Sequence, residues 1–478
     1  VVVGSGPNGL AAAVIMARAG LDVEVYEAAE EAGGGTRTVE SIPGFRFDEC
    51  SAVHPMALAS PFFRAFGLAE HGVRLLQPDV AYAHPLDGGR AGLAWRDIER
   101  TVADLGRDGP AWRRLLGPLT RRWQGVVATA MSDLRRLPAH PVTAARFAVR
   151  MVEQGSPLWN LRFREQVAPA LLSGVSAHAI RPPRALPPAG VGLMLAALAH
   201  GVGWPLIRGG SQAIADAMVA DLRAHGGKVH LGHRIRDLDE LPRAGAVLLD
   251  VSPAELLRIA ARRLPAGYRT AARTFRFGGG ACKVDFALRE RVPWSAPGCE
   301  RTGTLHLVGS REEALSVERE VAAGRCPPRP YVLAVQPEVV DEGRSPRGMA
   351  TLSVYAHVPQ GYPVDIGNSV AAQIERFAPG FRDIVLDRRV RTAVELEQWN
   401  PNYVGGDISA GAMSLRQTVL RPVPRWNPYA TPIPGVYLCS ASTPPGPGVH
   451  GMGGAHAAGH ALRDRFGIDE PPLALLRS

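Results

Sequence analysis

The chain has 478 residues, too many for one compact core; at roughly 100–200 residues per domain, two or three cores are expected. It is 46% hydrophobic and 21% charged, which excludes a disordered or fibrous chain. The formal charge of +9 rests almost wholly on arginine, since only Lys228 and Lys283 are lysine; with abundant Ala, Gly and Pro this reads as the codon usage of a GC-rich bacterial genome, not as a sign of nucleic acid.

The chain opens Val1-Val2-Val3-Gly4-Ser5-Gly6-Pro7-Asn8-Gly9, a β-branched run feeding a Gly-x-Gly-x-x-Gly turn. An alanine-rich helix follows to about Ala19, Gly20 ends it, and Leu21 to Tyr26 alternates as a second strand closed by Glu27. Strand, glycine turn, helix, strand and acid together form a dinucleotide-binding unit. Gly4 permits the tight turn, Gly6 a close approach of backbone to a pyrophosphate, and Gly9 the packing of helix on strand. The free N–H groups at the helix start suit phosphate. Glu27 stands 23 residues after Gly4, where a carboxylate accepts from ribose hydroxyls. Only three residues precede Gly4, so the natural N-terminus is expected to be longer.

Next comes Glu27-Ala28-Ala29-Glu30-Glu31-Ala32-Gly33-Gly34-Gly35-Thr36-Arg37. This resembles the acid, double-glycine and arginine signature of the FAD-dependent amine oxidase and phytoene desaturase superfamily, with the arginine two residues late as in its phytoene-desaturase-like branch. The resemblance implies FAD, with Arg37 as a fixed cation for the pyrophosphate. It continues through Pro43 to Pro55, where the family crosses from the nucleotide domain toward the flavin. His54 is there either a catalytic base or a hydrogen-bonded histidine lining the cofactor cavity.

From about Pro61 to Leu198 the pattern is mostly helical, at Arg64–Leu68, Ala111–Leu134 and 143–154, punctuated by prolines, with no strand assigned. It is expected to cover the substrate, with His178 and His200 as satisfied core histidines. The arginines Arg113, Arg114, Arg121, Arg122, Arg135, Arg136, Arg146 and Arg150 crowd this segment. They form either a solvated face or one that meets an anionic membrane surface. A helix from Ser211 to Leu222, a strand at Lys228–Leu231 and another at Ala246–Val251 resemble the family's return to the FAD domain. Ile235 matches the position against the adenosine. Strands dominate from Arg276 to about Pro424. Lys283 lies in one of them; it either serves the flavin site, by holding a water or countering the reduced ring, or faces solvent.

Pro434 to Ala458 reads as a strand, a glycine-rich loop and a helix starting near Gly453, and it resembles the family's closing FAD segment. Ser442, Gly448, Val449, His450 and Gly453 are its cofactor candidates, and His450, expected to be the polar side chain nearest the flavin ring, is a catalytic candidate with His54 and Lys283. The branch includes proteins labelled pyridine nucleotide-disulfide oxidoreductase domain-containing, yet the five cysteines form no CxxC pair, so neither disulfide-reductase chemistry nor a structural zinc site is expected. The implied fold class is α/β. A Rossmann-like FAD-binding domain with a parallel sheet would come from 1–60, 200–275 and 425–478. An α+β substrate domain would come from two insertions, helical over 61–199 and β-rich over 276–424.

No metal-ligand spacing, nucleophile elbow or HExxH occurs. The resemblance implies an FAD-dependent oxidoreductase, with FAD held noncovalently, that dehydrogenates a C–C bond of an apolar isoprenoid or polyene substrate. Amine oxidation, flavin-dependent isomerisation and non-catalytic prenyl or lipid binding are the alternatives on this fold. The electron acceptor is left open between a quinone, oxygen and another oxidant. The absence of a long apolar run or leader points to a cytoplasmic protein, with peripheral membrane contact as its one membrane option.

Overall fold

The computed structural model describes residues 1–477. Its first sheet has five parallel strands in the order Val436–Leu438, Val247–Leu249, Val2–Val3, Glu24–Tyr26, Lys228–His230. Val2 stands level with Val25 on one side and Leu248 on the other. A parallel sheet needs both faces covered, and side-chain alternation sorts the covering. Val2, Val25 and Leu248 pack with the helices Pro7–Arg18, Gln212–Ala224 and Met452–Ala461, whereas Val3, Leu249 and Leu438 pack with Pro253–Ile259 and Ala266–Arg273. Pro7 at the first helical position presets the opening turn of the first helix. Gly454 lets the last helix cross the first, because a Cβ there would overlap the Asn8 carbonyl. The two ends of the chain therefore meet over one sheet.

The second sheet has seven strands in the order Val385–Arg391, Gly280–Leu288, Ala350–Val358, Val332–Val335, Thr304–Leu307, Val80–Leu86, Arg90–Trp95. Alternation again decides what faces where. Val284, Phe286 and Leu352 pack under the helix Gly367–Phe377. Lys283 and Asp285 project from the opposite face, opposite Tyr355 and Ser353 of the neighbouring strand.

Two expectations for the middle of the chain need correction. The segment 61–199 is not only helical: its hairpin Val80–Leu86 and Arg90–Trp95 forms one edge of the second sheet, through the parallel pair Leu305 and Ala83. All seven residues of the first hairpin strand are buried, so no polar alternation marks it in the sequence. The helix read over Ala111–Leu134 is two helices, Gly109–Thr120 and Trp123–Ala130, the first containing Pro118 and the second ending well before Leu134. These helices, with Pro141–Gln154, Val167–Ser176 and Leu186–Gly201, form a layer around Trp112, Leu116, Leu193 and Leu198. Among the described residues no helix is long and apolar enough to cross a membrane.

Candidate functional site: a cavity between the two sheets

One cavity of ≈ 1020 Å³ runs from the carboxyl ends of the parallel strands, past the second sheet, to the helical layer. That first position is where open α/β sheets bind ligands. Gly4, Gly6, Pro7, Asn8, Glu27, Ala28, Gly34, Gly35, Thr36 and Arg37 line it from the start of the chain. Ile235 lines it from the middle, and Ser442, Gly448, Val449 and His450 from the end. His54 and Lys283 line it as well. Gly9, Gly33 and Gly453 are not in the wall. They hold the elements behind it: a Cβ on Gly9 would overlap the Gly4 carbonyl, one on Gly33 would lie 3.1 Å from the Ala215 Cβ, and one on Gly453 would lie 2.9 Å from the Cys439 carbonyl oxygen.

The nucleotide end is made of backbone. Gly4 turns at φ +94°, and its N–H donates to the Tyr26 carbonyl at 2.8 Å. Gly34 comes so close to the loop that a Cβ would lie 3.1 Å from the Gly6 Cα. Glu27 accepts from the Ser5 N–H at 2.8 Å and the Ser5 hydroxyl at 2.6 Å through one oxygen, and from the Ala29 N–H at 2.9 Å through the other. An ionised carboxylate offers about four lone-pair directions, so acceptor capacity remains for hydroxyl donors in the cavity. Arg37 is buried, lies 3.6 Å from Glu27 and packs 4.9 Å from the Trp399 ring centre, while its Nε has no partner. A buried guanidinium N–H without an acceptor, beside side-chain-free loops, fits a ligand that brings anionic oxygens. The donor set suits a flavin dinucleotide.

Sequence reading missed Asp250. It follows the strand Val247–Leu249 and lies under the glycine loop, accepting from the Gly9 N–H at 2.9 Å. Burial pushes its carboxyl up to about 7, against the pull of those backbone donors. Only its place at the end of a parallel strand could have signalled it.

The middle of the cavity is polar. His54 Nε2 lies 2.7 Å from the Ser211 hydroxyl, while Nδ1 has no partner. Burial lowers the ring to about 4, which keeps it neutral at physiological pH. The Ser211 N–H donates to Asp48 at 2.8 Å, and Asp48 pairs at 3.0 Å with Arg344, which is fully buried and also holds Asp341 at 2.8 Å. This buried chain sews the hairpin Thr38–Ile42 and Phe45–Asp48 to a loop near 341–344, and nothing in the local sequence of either part announces it. Lys283 is buried and ion-paired with Asp285, which also accepts from the Ser353 hydroxyl at 2.9 Å. That excludes the solvent-facing alternative for Lys283.

His450 lines the cavity but departs from the catalytic role. Its Nδ1 accepts from the Met452 N–H at 3.0 Å and its Nε2 donates to the Gly446 carbonyl at 3.1 Å, with burial lowering it to about 4. Both ring nitrogens are committed to the loop, so its work is to hold Gly446–Met452 in shape and not to move protons. His178 also departs: it lines the cavity, and its Nε2 lies 2.8 Å from that of His306. His200 is the satisfied core histidine expected, between the Trp95 carbonyl at 2.7 Å and the Trp112 indole N–H at 3.1 Å.

The far end is apolar. Phe147 and Met151 from one helix face Val191, Met194 and Leu195 from another. Among the six aromatic residues on the cavity wall, Tyr26, Phe147, Trp204, Tyr355, Trp399 and Tyr403, only Trp399 and Tyr403 are in ring contact with each other. Their centres are 6.1 Å apart, too close to admit a cation between two faces, and Arg37 and Arg391 already lie near the Trp399 ring. Among the described residues no group of His, Cys, Asp and Glu could hold a metal ion, and the cysteines are unbridged.

Comparison with known proteins places this geometry in context. Residues 8–260 match the family model for flavin containing amine oxidoreductases. The rat pyridine nucleotide-disulfide oxidoreductase domain-containing protein 2 is 25% identical, over 97% of this chain and 93% of its own. A limonene dehydrogenase chain of Castellaniella defragrans is 24% identical, over 98% and 95%. Hydroxyneurosporene desaturase of Rhodobacter capsulatus is 30% identical over about half of each chain, 49% and 50%. Among solved structures, a putrescine oxidase double mutant superposes with a TM-score of 0.60 at 15% identity, covering 98% of both chains, which shows the fold.

Proposed function

This chain belongs to the flavin containing amine oxidoreductase family and is a flavin-dependent oxidoreductase, and on that premise we propose that it holds FAD noncovalently and dehydrogenates a C–C bond of an apolar, isoprenoid-like or polyene substrate. The observation that carries the substrate class is the far end of the cavity, walled by Phe147, Met151, Val191, Met194 and Leu195 with no charged side chain among them. Such a wall favours a hydrocarbon and penalises an ammonium, which would lose its hydration with no partner. Dehydrogenation of limonene and desaturation of hydroxyneurosporene, named for two relatives, are reactions of this kind.

When bound, the flavin supplies a two-electron acceptor for hydride. The chain's own groups bind, orient and exclude water. Glu27 and Arg37, 3.6 Å apart, would hold adjoining parts of the nucleotide, Glu27 the ribose by its spare lone pairs and Arg37 the pyrophosphate by its unpartnered N–H. Lys283, paired with Asp285, keeps a cation and its N–H donors on the wall between the nucleotide and apolar ends. The helix Met452–Ala461 begins just behind Gly448 and Val449, and its positive end favours negative charge there. His54 stays neutral, so the polar middle of the cavity carries no second cation beside Lys283 on that account.

The deciding experiment is anaerobic titration of the purified protein with cyclic monoterpenes, linear polyenes and primary amines, following loss of the flavin's visible absorption. Bleaching by a hydrocarbon supports the reading. Bleaching by amines alone replaces it with amine oxidation, and turnover of an isomer without net bleaching replaces it with isomerisation. A colourless preparation that takes up no added FAD would sink the cofactor assignment and leave lipid or prenyl binding.

A further inference from the structure

Among the described residues, half of the fourteen large apolar side chains that this chain exposes lie between Leu134 and Leu161. Leu137 is 97% exposed, and Val142, Val149 and Val152 stand exposed on the helix Pro141–Gln154. Scattered surface leucines need no explanation, but a contiguous group does. Across from it, Trp426 is 91% exposed and Leu415 and Leu420 are exposed too. The two stretches touch, for the Arg135 guanidinium donates to the Arg425 carbonyl.

Three further features give this surface a meaning. It surrounds a mouth of the cavity: Leu134, Pro141, Ala145 and Ala148 are exposed and also line the cavity, and Met413 and Thr418 line it from the other stretch. Its exposed charges are cationic: Arg136, Arg146, Arg416 and Arg425 are exposed, 408–431 contains no aspartate or glutamate, and the one acid of 134–161, Glu153, is neutralised by Arg150 and Arg162. And its apolar residues alternate with arginines on a helix whose other face, with Phe147 and Met151, belongs to the cavity wall.

The geometry points to a lipid bilayer as the occupant of this face: the loop around Leu137, the helix Pro141–Gln154 and the Trp426 loop lie in the headgroup zone of an anionic membrane, and the cavity mouth opens into the acyl layer. Apolar side chains ringed by arginines match an amphipathic surface at the headgroup boundary, and an exposed tryptophan suits the same depth. A substrate dissolved in the bilayer then enters without crossing water. That last point rests on the apolar-substrate reading; the membrane contact does not.

Flotation of the flavin-loaded protein separates the two. Phosphatidylcholine vesicles are compared with vesicles that also contain phosphatidylglycerol. The protein is expected to float with the phosphatidylglycerol vesicles and to be partly released by salt. Leu137→Asp combined with Val149→Asp should leave it unfloated with an unchanged flavin spectrum. Arg136→Glu with Arg146→Glu should lower binding to anionic vesicles by at least about tenfold. If the aspartate pair loses its flavin, Trp426→Ser carries the same test from the other stretch. A protein that floats with neither lipid, or aspartate and serine variants that float as well as the parent, overturns the proposal. So does a dimer in sedimentation that the aspartate pair dissociates, since the face then belongs to a second copy. Vesicle binding without hydrocarbon turnover would sink the substrate reading and leave the membrane contact standing.

Discussion

At the nucleotide end the cavity wall is backbone: glycines at Gly4, Gly6, Gly34 and Gly35, a helix start, and N–H groups already aimed by Glu27 and Asp250. At the substrate end the wall is side chains, drawn from helices whose residues lie tens of positions apart, such as Met151 and Met194. The first kind of wall admits one chemical shape, because a single added Cβ closes it. The second accepts any apolar body of the right size, since dispersion contacts carry no direction. A family built this way can keep one cofactor and change substrates. Between the two ends lies a seam of buried charge, Asp48, Arg344 and Asp341, which fixes their relation.

That comparison breaks most severely at the seam. Arg344→Met removes one fully buried cation from two carboxylates, and a loss of about 3–5 kcal/mol in urea unfolding is expected. Stability within about 1 kcal/mol of the parent would mean that the seam does not hold the ends together.

Asp250 tests the nucleotide end alone. Its folded carboxyl is raised from 3.8 to about 7, so the folded flavin-free chain binds the proton more tightly than the unfolded one. Stability of that chain therefore falls as pH rises from about 4 to 7, with the full cost, up to roughly 4 kcal/mol, present above 7. Asp250→Asn should flatten this slope in thermal unfolding measured across that range. An unchanged slope would assign the pH dependence elsewhere.

Glu27→Ala strips acceptors from the Ser5 and Ala29 N–H groups as well as from the cofactor. A weakening of flavin retention by about 1.5–3 kcal/mol is expected, read by dialysis and fluorescence. Retention equal to the parent's would remove Glu27 from cofactor binding. The smallest effect is expected at the other end: Met194→Ala enlarges the apolar wall. It should change substrate affinity by roughly tenfold while flavin retention stays as it was. A change in flavin retention instead would show that the two ends are not separable.

The fold class and the glycine loops were legible because their requirements are local. A strand followed by Gly4-Ser5-Gly6-Pro7-Asn8-Gly9 and an alanine-rich helix can be read from a dozen residues, since turn, close approach and helix start each restrict residue type at a fixed spacing. The first strand of the hairpin, Val80–Leu86, escaped because it is buried on both faces, and a short apolar run looks alike in helix and strand. His450 illustrates the limit for side chains: its position in a motif can be read, but which atoms its two nitrogens meet depends on how Gly446 and Met452 close around it.

What the sequence alone determined, then, is backbone: where the glycine loops turn, and those strands that carry a pattern of their own. What only tertiary structure decided is which distant groups share one dry space. Asp48 meets Arg344 across almost three hundred residues, Lys283 is turned inward onto Asp285, and Met151 faces Met194 across the cavity. Burial sets the worth of each of these contacts, because desolvation makes an unpaired charge costly and an apolar wall selective. Burial is a property of the assembled layers and is not carried by any short stretch of chain.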